Sequence, residues 1–411
     1  FWLKLKATWL HVRRESTLHF FQLGIQSLPR AQRIGALSAM SNAVKAEVPV
    51  FFMGIPMKWV SLMMLVAQTV SVVFAMRLSR TTIVAGPRYL NTTAVFMSEV
   101  MKMICSFLFL SNEKGGIMIA SREVHRHLTR DPFELLKVTV PSLLYTIQNN
   151  LLFVSLSNLS GAVYQVTYQL KILTTAVLSY LILGKQLGLT KWVALLMLTS
   201  GVSLIQLPRG GGDASSGSES GAESDIPTTT QAPHGNAVIG LVAVLSACMT
   251  SGLAGVYLEK ILKQSDASIW LRNIQLGLFG AVLALIGCFV TDGGKIQADG
   301  FFQGYSGLVW CVISLQAIGG LVVAAVLKYA DNILKCFGNA LSIVLTALLS
   351  AALLQEFVPD FLFIVGTLLV INATTLYSLG LPQQVQKMFN QQLGDSIKSK
   401  VDASIQSGGK V

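Results

Sequence analysis

Of 411 residues, 52% are hydrophobic and only 12% are charged, with a mean hydropathy of +0.60, whereas a soluble domain carries about 25% charged residues. Apolar runs of about 20 residues without alternation exclude a β-barrel and predict an all-α membrane protein. The net charge of +11 would suggest nucleic acid in a soluble chain; here it reads as basic cytosolic loops around a membrane bundle, and no nucleic-acid partner is expected.

Residues 1–58 carry Lys4, Lys6, Arg13, Arg14, Arg30, Arg33, Lys45 and Lys58, and no apolar signal core with a small-residue cleavage site. They read as a basic cytosolic tail, with a lipid-surface amphipathic segment as the other reading. Ten apolar runs follow, at 59–78, 90–110, 138–158, 161–183, 190–207, 236–258, 269–290, 307–327, 333–354 and 361–380. With both termini on one side, nearly every lysine and arginine outside the runs falls on that side; only Arg77, Arg80, Arg88, Arg209 and Lys295 fall opposite. That imbalance puts both termini in the cytosol. The Gly-, Ser- and acid-rich stretch 208–235 cannot build a core and reads as a flexible luminal linker open to O-glycosylation. It separates a first five-helix repeat, 59–207, from a second, 236–381, followed by a cytosolic tail, 382–411. Five spans per half make the two halves enter from opposite sides, so ten transmembrane helices form two inverted five-helix repeats. An echo supports this: Leu170-Lys171 precedes Ala176, and five spans later Leu334-Lys335 precedes Ala340 at the same spacing.

The polar residues inside the runs are few. In the fourth run Tyr164, Tyr168, Lys171 and Thr175 share one helical face. A lysine at mid-membrane costs about 2.5–3.5 kcal/mol on insertion scales, so this face suits a wet cavity holding an anion. Asp331, Lys335, Asn339 and Ser342 form a second such face, although Lys335 is near enough to the cytosol to snorkel. The third run holds Tyr145, Gln148, Asn149 and Asn150, as helix–helix glue or as contacts to a base or ribose. Glu99 and Lys102 are i, i+3 neighbours and read as an intramembrane charge pair, structural or gating. Arg272 reads as an interface anchor, with Asn273 turned about 100° away. Cys105, Cys248, Cys288, Cys311 and Cys336 lie in or beside apolar runs and read as small buried residues, not as disulfides or metal ligands. No metal, cofactor or enzyme signature is present: GxSxG, HExxH, a Walker A loop and CxxC are all lacking, and the histidines sit in tails or loops.

GPRYLNTTAV (86–95), YTIQNNLLFVSLSNL (145–159), VYQVTYQLKILTTA (163–176), GVYLEKILK (255–263), WLRNIQLGLFG (270–280), GFFQGY (300–305) and KYADNIL (328–334) resemble the nucleotide-sugar transporters of the Golgi and endoplasmic reticulum, within the drug/metabolite transporter superfamily. The resemblance covers roughly residues 59–381. It implies exchange of a cytosolic nucleotide sugar for a luminal nucleoside monophosphate by a multi-pass Golgi protein, with the endoplasmic reticulum as the other location. Carried over motif by motif, it implies that Lys171 contacts phosphate, that Tyr145, Asn149 and Tyr164 line the nucleotide pocket, and that Asn273 and Lys335 complete it. Gly277 stands where CMP-sugar carriers have a bulky residue, which resembles a UDP-sugar carrier exchanging for UMP. LQAIGGLVVAAVLKYADNIL and LQEFVPD resemble the UDP-N-acetylglucosamine members, with UDP-galactose or several UDP-sugars as the alternative. Cys336 stands where the family usually has glycine. Self-association, association with Golgi glycosyltransferases and glycosylation of Asn91 stay open.

Overall fold

The computed structural model describes residues 51–52, 54–81, 88–129, 132–207, 236–264, 267–354 and 359–379. The linker, the C-terminal tail and most of the N-terminal tail therefore lie outside the described residues. In the segment ending at Pro56, a two-stranded hairpin pairs β1 (Phe51–Phe52) with β2 (Ile55–Pro56), and Gly54 takes the positive φ of its turn, +85°.

The rest is helical: α1 (Met57–Thr81), α2 (Asn91–Lys114), α3 (Ile117–Thr129), α4 (Pro132–Asn158), α5 (Gly161–Tyr168), α6 (Lys171–Leu183), α7 (Leu189–Gln206), α8 (Ala237–Gln264), α9 (Ile269–Asp299), α10 (Gly307–Tyr329), α11 (Asn332–Leu349), a π turn (Ser350–Leu354) and α12 (Phe361–Leu379). Each of the ten apolar runs is helical, and among the described residues nine segments are long and apolar enough to cross a membrane. The third run, α4, is 27 residues long but is not among the nine; Gln148, Asn149 and Asn150 dilute its apolar character.

Three features depart from the sequence reading. The fourth run is not one helix: α5 and α6 are separated at Gln169-Leu170. The seventh run continues past its apolar end to Asp299, with a kink at Asp292 (φ −119°, ψ 16°) where Gly293-Gly294 follow. The loop after α2 contains the helix α3, whose polar composition hid it from a search for apolar runs.

Helix ends are closed locally. Gly115 (φ +80°) and Gly184 (φ +64°) terminate α2 and α6 in the left-handed region. The side chains of Ser268, Ser306 and Asp331 accept backbone N–H groups at the starts of α9, α10 and α11.

The two sequence halves are interleaved. The most extensive pairings are α4 with α8, α2 with α9, α7 with α12 and α1 with α10, followed by α6 with α8 and α11 with α1. Replacing every apolar run by the one five later maps this set onto itself. The buried clusters obey the same exchange. Leu152, Val244 and Cys248 pack against Leu170, which precedes Lys171; Leu62, Leu65, Val322 and Val326 pack against Leu334, which precedes Lys335. The largest cluster joins α6, α7, α11 and α12 through Ile172, Ala176, Leu198, Phe337, Ala340 and Val370. In Asn332–Ala352, 56% of the apolar window is buried, against 22% in α9 and in α12, which places α11 inside the bundle and α9 and α12 at its outside.

The α7–α12 crossing is set by glycine. A Cβ on Gly366 would lie 2.8 Å from the Gly201 carbonyl oxygen, and one on Gly201 would lie 2.9 Å from that of Gly366. Gly366→Val is therefore expected to lower the melting temperature of the purified protein, by an overpacking cost of about 1–3 kcal/mol. Gly287→Val, where a Cβ meets nothing within 4 Å, is the matched control and should melt like the parent.

Candidate substrate site at a broken helix

No glycine or proline lies between Val163 and Leu183 to explain the break between α5 and α6. The backbone tightens instead. Gln169, Leu170 and Ile172 donate to carbonyls three residues back, those of Val166, Thr167 and Gln169, at 3.3, 3.0 and 3.1 Å. Tertiary partners hold the turn. The buried Gln169 amide donates to the Gln206 side-chain oxygen at the end of α7 (2.5 Å). The Cys248 thiol on α8 points to the carbonyls of Tyr168 (3.5 Å) and Thr167 (3.8 Å). Thr174 donates its hydroxyl toward the carbonyls of Lys171 and Cys248, each at 3.0 Å. Polar backbone at membrane depth must be satisfied from within the protein, and the Cys248 thiol of α8 supplies a donor to the carbonyls of the turn, while α7 partners the Gln169 side chain. Sequence reasoning missed Gln169, Gln206 and this role of Cys248.

The break puts Lys171 at the first position of α6, one turn beyond two tyrosines. The rings of Tyr164 and Tyr168 stack at 5.7 Å with an interplanar angle of 9°. The Lys171 ammonium lies 4.1 Å from the Tyr168 ring centroid, a cation–π contact. Gln148 of α4 donates to the Tyr168 hydroxyl at 3.2 Å. Tyr145 and Asn149 are half-buried on the same helix, while Asn150 is exposed and bonds the Thr146 carbonyl. Of the polar residues of the third run, Gln148 thus joins the tyrosine face and Asn150 does not.

In the second half, Asn273 is buried and its amide nitrogen has no hydrogen-bond partner among the described residues. Arg272, read as an interface anchor, is also buried: it donates to Gln275 (3.0 Å) and pairs with Glu134 at the start of α4 (2.7 Å). Lys335 is half-buried on α11, and no described residue forms an ion pair with it. Asn339 and Ser342 of its face are buried. Cys336 keeps the helix regular, its thiol bonding the Asn332 carbonyl at 3.3 Å. Cys248, Cys288 and Cys336 are buried as expected; Cys311 is exposed and Cys105 half-buried, so those two do not follow the expectation.

Glu99 and Lys102 lie 2.5–2.6 Å apart. Glycines wall this pair in. A Cβ on Gly280 would meet Glu99, one on Gly320 would meet Lys102, and one on Gly277 would meet Met103 and then Lys102. Gly277 is thus a packing position beneath α2, and a bulky residue there would displace Met103 first and the Lys102 side chain next.

A charged cluster that the sequence did not reveal joins the halves. Glu259 on α8 is fully buried. Its carboxylate takes Lys185 at 2.7 Å, Lys263 at 3.1 Å and the backbone N–H of Asn332 at 3.0 Å. Lys185 also reaches Asp331 at 3.5 Å, and Lys263 donates to the Ala330 carbonyl at 2.6 Å. At the other end of α2 and α9, Thr92 donates to Asp292 (2.8 Å), Tyr305 to Thr93 (3.1 Å) and Gln303 to the Arg88 carbonyl (3.3 Å). Polar contacts therefore join helices at both ends of the bundle.

The nucleotide-sugar transporter family model matches residues 53–378. The chain belongs to the nucleotide-sugar transporter family. It is 50% identical over 322 residues to a UDP-N-acetylglucosamine transporter of Mus musculus, covering 78% of this chain and 95% of the relative. It is 46% identical over 325 residues to a UDP-N-acetylglucosamine/UDP-N-acetylgalactosamine transporter of Caenorhabditis elegans, covering 78% and 93%. A UDP-galactose translocator of Mus musculus is 45% identical over 324 residues, covering 79% and 78%. One crystal structure shares the fold alone, at a TM-score of 0.50 and 15% identity over 78% of this chain and 96% of that one. As a family member, the chain is a multi-pass membrane protein whose relatives are transporters.

Removing one member of a buried ion pair costs about 3–5 kcal/mol because it strands the other. Glu259→Ala is therefore expected to lower the melting temperature strongly, and the double variant Glu259→Gln/Lys185→Gln should recover part of the loss. Thermal unfolding in detergent checks both.

Proposed function

We propose that this transporter is an antiporter carrying a UDP-sugar, chiefly UDP-N-acetylglucosamine, into the Golgi lumen in exchange for UMP. The observation that carries the reading is Lys171, set at a helix break over the Tyr164–Tyr168 stack. An ammonium beside an aromatic surface is a site for a phosphate joined to a base. The substrate brings negative charge into a low-dielectric cavity, and the lysine supplies the opposite charge there. In this reading Tyr164, Tyr145 and Asn149 line the nucleotide pocket, the unpartnered Asn273 amide adds a donor, and Lys335 supplies a second cation from the other half. The exchange symmetry of the helix pairings supports two inverted five-helix repeats. Charge asymmetry in the loops supports cytosolic termini, which puts the Lys185–Glu259–Asp331 seam at the cytosolic end and the Thr92–Asp292 seam at the luminal end. Alternate opening of the two seams, with the site kept occupied at each closed stage, lets the UMP gradient drive uptake. The two relatives named for UDP-N-acetylglucosamine favour that sugar; the UDP-galactose translocator supports UDP-galactose as the second reading.

Proteoliposomes loaded with UMP should take up labelled UDP-N-acetylglucosamine several-fold faster than empty ones, and unlabelled UDP-N-acetylglucosamine should compete better than UDP-galactose. Equal rates in loaded and empty vesicles would refute exchange. Stronger competition by UDP-galactose would select the second reading.

A further inference from the structure

We infer that α3 is a docking surface for anionic phospholipid. The helix connects the α2 and α4 ends at one face of the bundle and is fixed there. Gly115, at φ +80°, turns the chain out of α2. Ala120 is fully buried, and with Val124 it packs on Leu110 of α2, on Leu271 and Ile274 of α9 and on Trp270. Lys114 pairs with Glu123 at 3.0 Å and fastens the helix to α2. With 13 residues, α3 reaches only about 20 Å, too short to span, so it lies across the ends of α2 and α9 at the membrane boundary.

Its outer side has two parts. Ile117, Met118 and Ile119 in the first turn are 66%, 68% and 52% exposed. Arg122, His125 and Arg126 follow and are exposed. Glu123 is the helix's single acid and is held by Lys114; no described carboxylate pairs with Arg122 or Arg126. Three adjacent large aliphatic side chains are unfavourable against water and favourable among acyl chains. Two guanidinium groups one turn apart match the phosphate and carboxylate of acidic headgroups. A helix with this division of side chains, tethered at both ends to segments within the bilayer, meets lipid before any other partner. The inference is independent of the substrate and of which leaflet α3 faces, because a nanodisc presents the same lipid on both sides.

Hydrogen exchange of the full chain in nanodiscs tests it. Amides of 117–129 should exchange about five-fold or more slowly when part of the phosphatidylcholine is replaced by phosphatidylserine. About 1 M salt, where the screening length is about 3 Å, should remove the difference. Arg122→Gln/Arg126→Gln should remove it too, while Arg122→Lys/Arg126→Lys should keep most of it, and exchange in α2 and α9 should stay unchanged. Equal exchange in the two lipid compositions would overturn the inference. So would a difference that survives in the glutamine variant, or equal slowing by free inorganic phosphate in phosphatidylcholine alone, which would mark an anion site rather than a lipid surface.

Discussion

Charge and backbone polarity cannot be left to water at membrane depth, and most of this structure follows from that constraint. Within the apolar runs or at their ends a few groups violate it on composition: Lys171, Glu99, Lys102, Glu259, Asn273 and the carbonyls freed at the α5–α6 break. Glu99 and Glu259 each meet a lysine, and the freed carbonyls meet Cys248. Lys171 lies against the Tyr168 ring, which stabilises the cation.

The packing explains how such groups are admitted. Glycines at 277, 280 and 320 let α9 and α10 close over the Glu99–Lys102 pair, and Gly255 lets α8 approach the Asn332 side chain next to Glu259. Charge burial and small-residue contact therefore occur at the same places. Elsewhere, as at Gly201 and Gly366, close approach serves the scaffold alone. The pairing of each helix with one from the opposite half makes relative motion of the halves felt at both seams, since neither half forms a lobe of its own.

That the apolar runs are helical was legible because hydropathy over about 20 residues is the strongest signal a membrane sequence carries. The Tyr164–Tyr168–Lys171 face was legible because helical spacing survives a single tightened turn. The break itself was not, because Gln169 finds its partner in Gln206, far along the chain, and no local residue announces it. Glu259 and Lys185 are likewise 74 residues apart in sequence, so their pairing is a tertiary fact. The helix α3 lacked a long apolar run, and its basic residues read equally well as a loop. Gly277 marks a UDP-sugar carrier by family pattern, and what the pattern did not reveal is that a Cβ there would meet Met103.

If Lys171 holds the phosphate, its removal must weaken every phosphate-bearing ligand and spare those without one. A charged hydrogen bond contributes about 1.5–3 kcal/mol, so purified Lys171→Ala should bind UMP about ten-fold or more weakly than the parent, with uridine almost unaffected and the melting temperature retained. UMP affinity equal to that of the parent would contradict the role assigned to Lys171 and to the broken helix that positions it.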